Sequence, residues 1–481
     1  MLLTDRVQQS FKNSKYASII ACVFTFLLAL SLLPTQSYAD TRNSDVVMGI
    51  TAEARGLTAS QCPNISAQYA YVVSDDGTVY FERDAHAKTK IASVTKIMTA
   101  LVALEYGDPA STTITVSERA AHVGESTAGL QQGDTMTLET ALKGLLIPSG
   151  NDAGQAIAES MGADVYQQLK ERYPDDENIP TEPYDAFIYA MNKKAAELGM
   201  NDSTFVNPHG LDMDEWESEE MGSSAYDCYL MTQEAMKNDL FRSIVSTHET
   251  TIQVTRGGQP ANIDLLSTDE LLVSYEGACG VKTGNTDYAG ACFSAAVERD
   301  GKTYYAMVLH CDNEAQRFID TQTLYNWVFN NTIDYPLAHS PETVNATIDG
   351  TTQDYPVIAY VSNRSWIDKT FKATIADPGQ TVSVFVLNGN VSQDIQIDEV
   401  SGNVSAGQKV GTINFMQHNE VIASVDLVAA EDFAGPNFFE GIGIWWDRLM
   451  RGFNGQPQYA DNTIVNTTPI IFGAEASFDE V

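Results

Sequence analysis

The spacing of apolar residues changes period several times along the chain, and each change marks a class of element. Residues 69–74 and 78–83 are apolar-rich segments on either side of Asp75-Asp76-Gly77, which predicts two strands around a turn. Over 92–104 the residues are apolar on nearly every side, so a helix there belongs inside a domain. Thr137 is placed to cap a second helix whose Leu138, Ala141, Leu142, Leu145 and Leu146 share one face, and Pro148 ends it. Helical patterning resumes over 152–161 and again over 187–198. The acidic, proline-bearing stretch 164–184 between them reads as a loop or lid. Three strands follow at 277–283, 290–298 and 302–310, and then a helix at 313–329. Strands, helices and strands again predict an α+β domain, helices covering an antiparallel sheet.

The second half of the chain reads differently. Residues 334–341 (DYPLAHSP) carry two prolines and suit a linker, and from 344 to 427 short alternating strands with turn signals and no helix predict a small all-β domain. At 100° per residue, Phe438, Phe439, Ile442, Trp445, Trp446, Leu449, Met450 and Phe453 fall on one helical face. With four charges in sixteen residues that helix is too short and polar to span a bilayer, and it suits a membrane interface instead; packing onto the β-domain is the alternative.

At the start, Arg6, Lys12 and Lys15 precede an apolar run over 17–33 and the small-x-small triplet Ser37-Tyr38-Ala39, the pattern of a secretory signal peptide. An uncleaved anchor is the other reading, and both put the remaining chain outside the cytoplasm. The expected division is therefore a signal peptide at 1–39, a linker at 40–63, a catalytic domain at 64–333 and a linker at 334–343. An all-β domain at 344–432, the amphipathic helix at 436–453 and an acidic tail at 454–481 complete it.

Composition narrows the function classes. With 481 residues, 43% of them hydrophobic, the chain can bury sizeable cores, and a net charge of −36 argues against nucleic acid and against a polybasic membrane patch. Outside the signal segment stand Cys62, Cys228, Cys279, Cys292 and Cys311, an odd set that leaves at least one thiol free or intermolecular. There is no C-x-x-C or H-E-x-x-H, and His310-Cys311-Asp312 lacks further ligands, so neither a metal nor another cofactor is expected.

Three short motifs carry the chemistry. Ser93-Val94-Thr95-Lys96 opens the buried helix, Ser149-Gly150-Asn151 follows a helix end, and Lys282-Thr283-Gly284 lies in a predicted strand. Each alone is weak, but the ordered set is that of active-site serine penicillin-binding proteins and class A β-lactamases. Positions i and i+3 share a helix face, so Lys96 can reach the Ser93 hydroxyl and activate it as nucleophile. For that, Lys96 must be neutral, which burial and a nearby cation such as Lys282 would favour. Ser149 suits a proton relay to the leaving amine and Asn151 a positioning role. The N–H groups of Ser93 and of Asn285, just after Gly284, suit an oxyanion hole.

On these motifs, with IASVTKIMTALVALE, GLLIPSGNDAG, FVNPHGLD and GVKTGNTDYAGAC around them, the sequence resembles the low-molecular-mass penicillin-binding proteins, the serine D-alanyl-D-alanine carboxypeptidases, over about 64–427. The resemblance implies removal of the terminal D-alanine from peptidoglycan stem pentapeptides through an acyl-serine, with β-lactams as inhibitors. It assigns Ser93, Lys96, Ser149 and Asn151 the roles above and Lys282, Thr283, Gly284 and Asn285 to substrate binding, and matches Arg317 to an arginine that helps hold the substrate's terminal carboxylate. His209 falls in the NPHGLD loop as a loop-stabilising residue. A location on the outer face of the cytoplasmic membrane or in the cell wall follows, since the family often ends in an interfacial helix. A β-lactamase would need a deacylating base, yet no E-x-x-L-N follows the S-G-N; a non-catalytic wall-binding protein would not need Ser93, Lys96 and Lys282 together. If Lys282 lies opposite Ala289, Cys279 falls opposite Cys292, leaving a cross-strand disulfide or two small buried residues as the readings.

Overall fold

The computed structural model describes residues 44–472. The expected signal segment at 1–39 and the last residues of the expected tail lie outside them.

Seven strands form the main antiparallel sheet: β1 (Asp45–Val47), β2 (Ile50–Thr51), β3 (Tyr69–Ser74), β4 (Val79–Arg83), β5 (Ala278–Thr286), β6 (Gly290–Arg299) and β7 (Lys302–Cys311). Their spatial order is β2-β1-β4-β3-β7-β6-β5. The central strands are buried on both faces because each face has its own core. Along β3, Tyr71 and Val73 point into one and Ala70 and Val72 into the other, as the two-residue period of a strand requires.

The larger core holds helix α1 (Lys96–Tyr106), whose Ile97, Met98, Ala100, Val102 and Ala103 are fully buried, as its all-round apolarity predicts. Around it lie α2 (Leu138–Leu146), capped by the Thr137 hydroxyl accepting from Thr140 N–H, α3 (Asn151–Arg172) and α4 (Pro183–Glu197). On the opposite face, α5 (Glu314–Asn330) contributes Phe318, Leu324, Trp327 and Val328 to the second core.

Several expectations are corrected. The stretch 164–184 is not a lid: α3 runs on to Arg172 and α4 starts at Pro183, leaving only a short loop. Its acidity hid the buried series Ile157, Met161, Val165 and Leu169, which recurs every four residues and continues the helix. The residues read as a linker before the catalytic domain include β1 and β2, which extend the main sheet. Those read as the linker after it include the strand Thr332–Pro336, paired with Thr381–Phe385. A four-stranded sheet of Thr113–Thr115, Thr135–Thr137, Glu249–Arg256 and Gln259–Leu266 was not anticipated, because its strands are short or half exposed and far apart in the chain.

The β5–β6 register sets Lys282 opposite Ser294 and Asn285 opposite Ala291. The strand continues through Gly284, Asn285 and Thr286 instead of turning there, so Cys279 and Cys292 are not cross-strand partners. All five cysteines of the described residues are free thiols.

The C-terminal half is all-β, with a six-stranded sheet around Val361, Phe371, Ile413, Phe415 and Leu427. Its edge strand Thr463–Ile464 is supplied by chain that returns after the amphipathic helix and pairs with Ala359–Ser362. The buried Asn466 then donates to Leu337 O and Gln393 Oε1, so the first part of the expected tail is built into the domain. The two halves meet where Phe385 packs on Tyr80 and Trp327 and the Arg55 guanidinium donates to Leu387 O.

Candidate active site

A 3-10 turn, Ala92–Thr95, leads into α1 and places Ser93 one turn ahead of Lys96. Two glycines let other segments close on this turn. Gly210, at φ +86°, lies where an added Cβ would be 1.9 Å from Ala92 O; one on Gly284 would be 2.7 Å from Ile91 O and 3.0 Å from Ser93 N. The third residue of the Lys-Thr-Gly motif is thus what allows β5 to lie against the serine.

Lys96 is fully buried, and its Nζ lies 2.6 Å from Ser93 Oγ, 2.7 Å from Asn151 Oδ1 and 3.1 Å from His209 O. Burial first, then the charge of Lys282, holds its ammonium well below the usual lysine range, with Asp152 opposing. Asn151 opens α3 and donates from Nδ2 to Gly124 O, which fixes Oδ1 toward Lys96. Ser149, just before it, is nearly buried at φ +65°, a backbone conformation costly for a non-glycine residue.

On the facing strand, Lys282 is buried and donates to Thr283 O at 2.8 Å. Burial, then Arg317, brings it down to about 7, with Asp269 opposing, so it is a weaker standing cation than the sequence suggested. Thr283 Oγ1 lies 2.6 Å from Thr268 Oγ1. Arg317, in the first turn of α5, is only 5% exposed and donates to Gly284 O at 3.1 Å, so it is not a solvated helix residue. Asn285 is exposed, its side chain donating to Glu314.

Ser93, Ser149, Asn151, Thr283, Gly284, Asn285 and Arg317 line one cleft of about 600 Å³, with Lys96 and Lys282 beneath it. His209 is buried, its ring edge-on to Trp216, while its N–H and that of Gly210 donate to Asn207 Oδ1. The loop therefore presents a backbone carbonyl to Lys96. No group of metal-ligating side chains occurs among the described residues.

Sequence reasoning missed Asp152 and Asp269. The Asp152 carboxylate accepts from Ala128 N–H, Leu130 N–H and the Thr127 hydroxyl, tying the segment beside the cleft to α3. Asp269 sits buried behind Lys282 and Arg317. In sequence, one resembles a helix first-turn acid and the other a cap; only tertiary packing distinguishes them.

A buried lysine touching a serine at a helix start, faced by a Lys-Thr-Gly strand, defines a serine acyl-enzyme site on a sheet-and-helix scaffold. The family model for D-alanyl-D-alanine carboxypeptidases matches residues 56–168 and 178–313, and the chain belongs to this serine-peptidase family. It is 28% identical to D-alanyl-D-alanine carboxypeptidase DacF of Bacillus subtilis, over 80% of this chain and 90% of that protein. It is 27% identical to DacC of Escherichia coli, over 82% and 90%. The crystal structure of the Streptomyces K15 DD-transpeptidase superposes with a TM-score of 0.50 at 29% identity, covering 56% of this chain and 98% of that one.

Proposed function

We propose that this D-alanyl-D-alanine carboxypeptidase uses Ser93 to attack the carbonyl between the two terminal D-alanines of a peptidoglycan stem peptide, and that β-lactams acylate the same oxygen. The carrying observation is the set of three contacts at Lys96 Nζ. A neutral amine has two N–H donors and one lone pair. Asn151 Oδ1 and His209 O are acceptors only and take the two donors, which leaves the lone pair facing the Ser93 hydroxyl.

As Ser93 Oγ bonds to the carbonyl carbon, its proton passes to Lys96. The oxyanion is stabilised by the Ser93 N–H, at the start of the turn, and by Asn285 N–H across Gly284. The proton then moves by way of Ser149 to the departing D-alanine nitrogen, and the C–N bond breaks. Water then attacks the acyl carbon and loses a proton to Lys96; the bond from carbon to Ser93 Oγ breaks, and Lys96 returns the proton to that oxygen. Lys282, Thr283 and Arg317 hold the terminal carboxylate, the group that a β-lactam also presents.

Mass spectrometry of a pentapeptide digest should show release of one D-alanine, with a transient adduct on the peptide containing Ser93. Titration with a fluorescent penicillin should reach one stable label per chain. Rapid turnover of the label would indicate a β-lactamase, and no label a binding protein.

The location follows from the same reading. Exported by the 1–39 segment, the enzyme attaches to the outer face of the cytoplasmic membrane through α6 (Phe438–Phe453). The Phe438, Phe439, Trp445, Trp446 and Phe453 side chains of this helix are exposed, while Arg448 on its other side donates to Arg364 O and Trp366 O. The helix is thus held to the β-domain with its apolar face outward. Among the described residues no helix is long and apolar enough to cross a membrane.

A further inference from the structure

We propose that Asp269 is a positioning residue for this reaction, its carboxylate supplying the counter-charge that keeps Lys282 protonated beside Arg317, where the substrate's terminal carboxylate binds. The proposal rests on the functional reading above and adds a residue to it. Asp269 is 3% exposed and lies between Thr268 and Glu270, both of which line the cleft. The Thr268–Thr283 hydroxyl contact at 2.6 Å stitches this turn to the strand that carries Lys282. Asp269 Oδ1 accepts from Leu271 N–H at 2.9 Å and starts the short helical turn Leu271–Ser274, whereas Oδ2 is buried with no hydrogen-bond partner among the described residues. A buried carboxylate oxygen without a donor is costly unless nearby cations compensate it.

Its nearest charged neighbours are cations, and the Cys279 thiol on β5 and the Tyr325 phenol on α5, which also face it, are held neutral by burial. Lys282 on β5 and Arg317 on α5 are both buried; Asp269 is the acid that opposes loss of charge at Lys282, while at Arg317 Glu314 acts ahead of it. Lys96 on α1 adds a second amine, facing Lys282, and its own opposing acid, Asp152, stands on α3. Glu314, beside Arg317, is 65% exposed and so screened by water. Asp269 is the buried acid on the Lys282 side. Without its charge the cationic form of Lys282 is disfavoured, so Lys282 loses its proton at lower pH; the repulsion that lowers Lys96 weakens at the same time. Burial pushes the Asp269 carboxyl up to about 6, so in mild acid the wild-type group is itself neutral.

Asp269→Asn separates this role from helix capping, because Asn keeps the acceptor for Leu271 N–H and loses only the charge. The test measures acylation by a fluorescent penicillin, and kcat and KM on a soluble pentapeptide, from acid to alkaline pH with the full chain. In Asp269→Asn, labelling and KM should match wild type below about pH 6 and diverge above it. KM should rise there and the alkaline limb should move down by about one pH unit. Asp269→Ala should show the same displacement together with a lower Tm. An Asn variant that follows the wild-type profile throughout overturns the proposal and leaves Asp269 a helix cap. An Asn variant that labels less than wild type well below pH 6, where position 269 is neutral in both, overturns it as well. If wild type neither labels nor releases D-alanine, it is the functional reading that fails, whatever Asp269 does.

Discussion

At the floor of the cleft Lys96, Lys282 and Arg317 are no more than 5% exposed, while on α6 Phe438, Phe439 and Phe453 are each more than 75% exposed. One region buries charge and the other displays apolar surface, so both run against the usual distribution. The cleft keeps its basic groups in place by giving each a fixed acceptor: Asn151 Oδ1 and His209 O for the two N–H donors of Lys96, Thr283 O at Lys282 and Gly284 O at Arg317. The helix keeps its aromatics exposed by turning its polar side to the β-domain, through Arg448, while the Asn437–Glu440 capping box secures its own N-terminus. The lesson is that chemistry requires a dry, rigid environment, whereas attachment requires a surface left unsatisfied until a partner covers it.

If the two regions are independent, a change in one should leave the other's measurement untouched. Ser93→Ala should abolish penicillin labelling and lower D-alanine release by at least about a thousandfold, with vesicle binding unchanged. Lys96→Arg tests the neutral-amine argument directly. A guanidinium does not deprotonate, so this charge-preserving change should cost about as much as Lys96→Ala, again roughly a thousandfold in acylation. An arginine variant with substantial activity would mean that charge, and not basicity, is what position 96 supplies.

Gly284→Ala sets a Cβ against Ile91 O and Ser93 N, so β5 must retreat from the serine turn. We expect a stability loss of about 1–3 kcal/mol, read as a lower denaturation midpoint, and a larger proportional loss in acylation rate. Equal activity at reduced stability would show that the close approach serves packing alone. Replacing Trp445 and Trp446 together by Ser should change stability by no more than about 0.5 kcal/mol, because both are exposed, and leave kcat on a soluble pentapeptide as it is. Sedimentation with phospholipid vesicles should fall sharply in that variant and depend little on salt. Substitution is the proper test here: cutting the chain before the helix would also remove Thr463–Ile464 and Asn466 from the β-domain.

The proposed nucleophile Ser93, its neighbour Lys96, the Ser-Gly-Asn and Lys-Thr-Gly segments that meet them and the α+β character were legible in the chain because each rests on local spacing. Ser93 and Lys96 are one helical turn apart, and the apolar run after them has no solvent face to offer. The helix over 438–453 was legible for the same reason: its eight apolar residues keep one period whatever surrounds them. Register was not legible. The hairpin of β5 and β6 turns after Thr286, which separates Cys279 from Cys292, and that follows from β5 remaining straight along the serine turn.

Local spacing alone settled which polar groups could meet in one cleft and where the strongly periodic elements lie, since both depend on neighbours a few residues away. Tertiary structure alone decided that Gly210 and Gly284 close on one turn, that Asp152 and Asp269 become buried acids, and that the chain beyond the helix returns to complete a sheet. These are contacts between residues tens to hundreds of positions apart. Their free energies come from burial and from close approach of segments that share no local pattern.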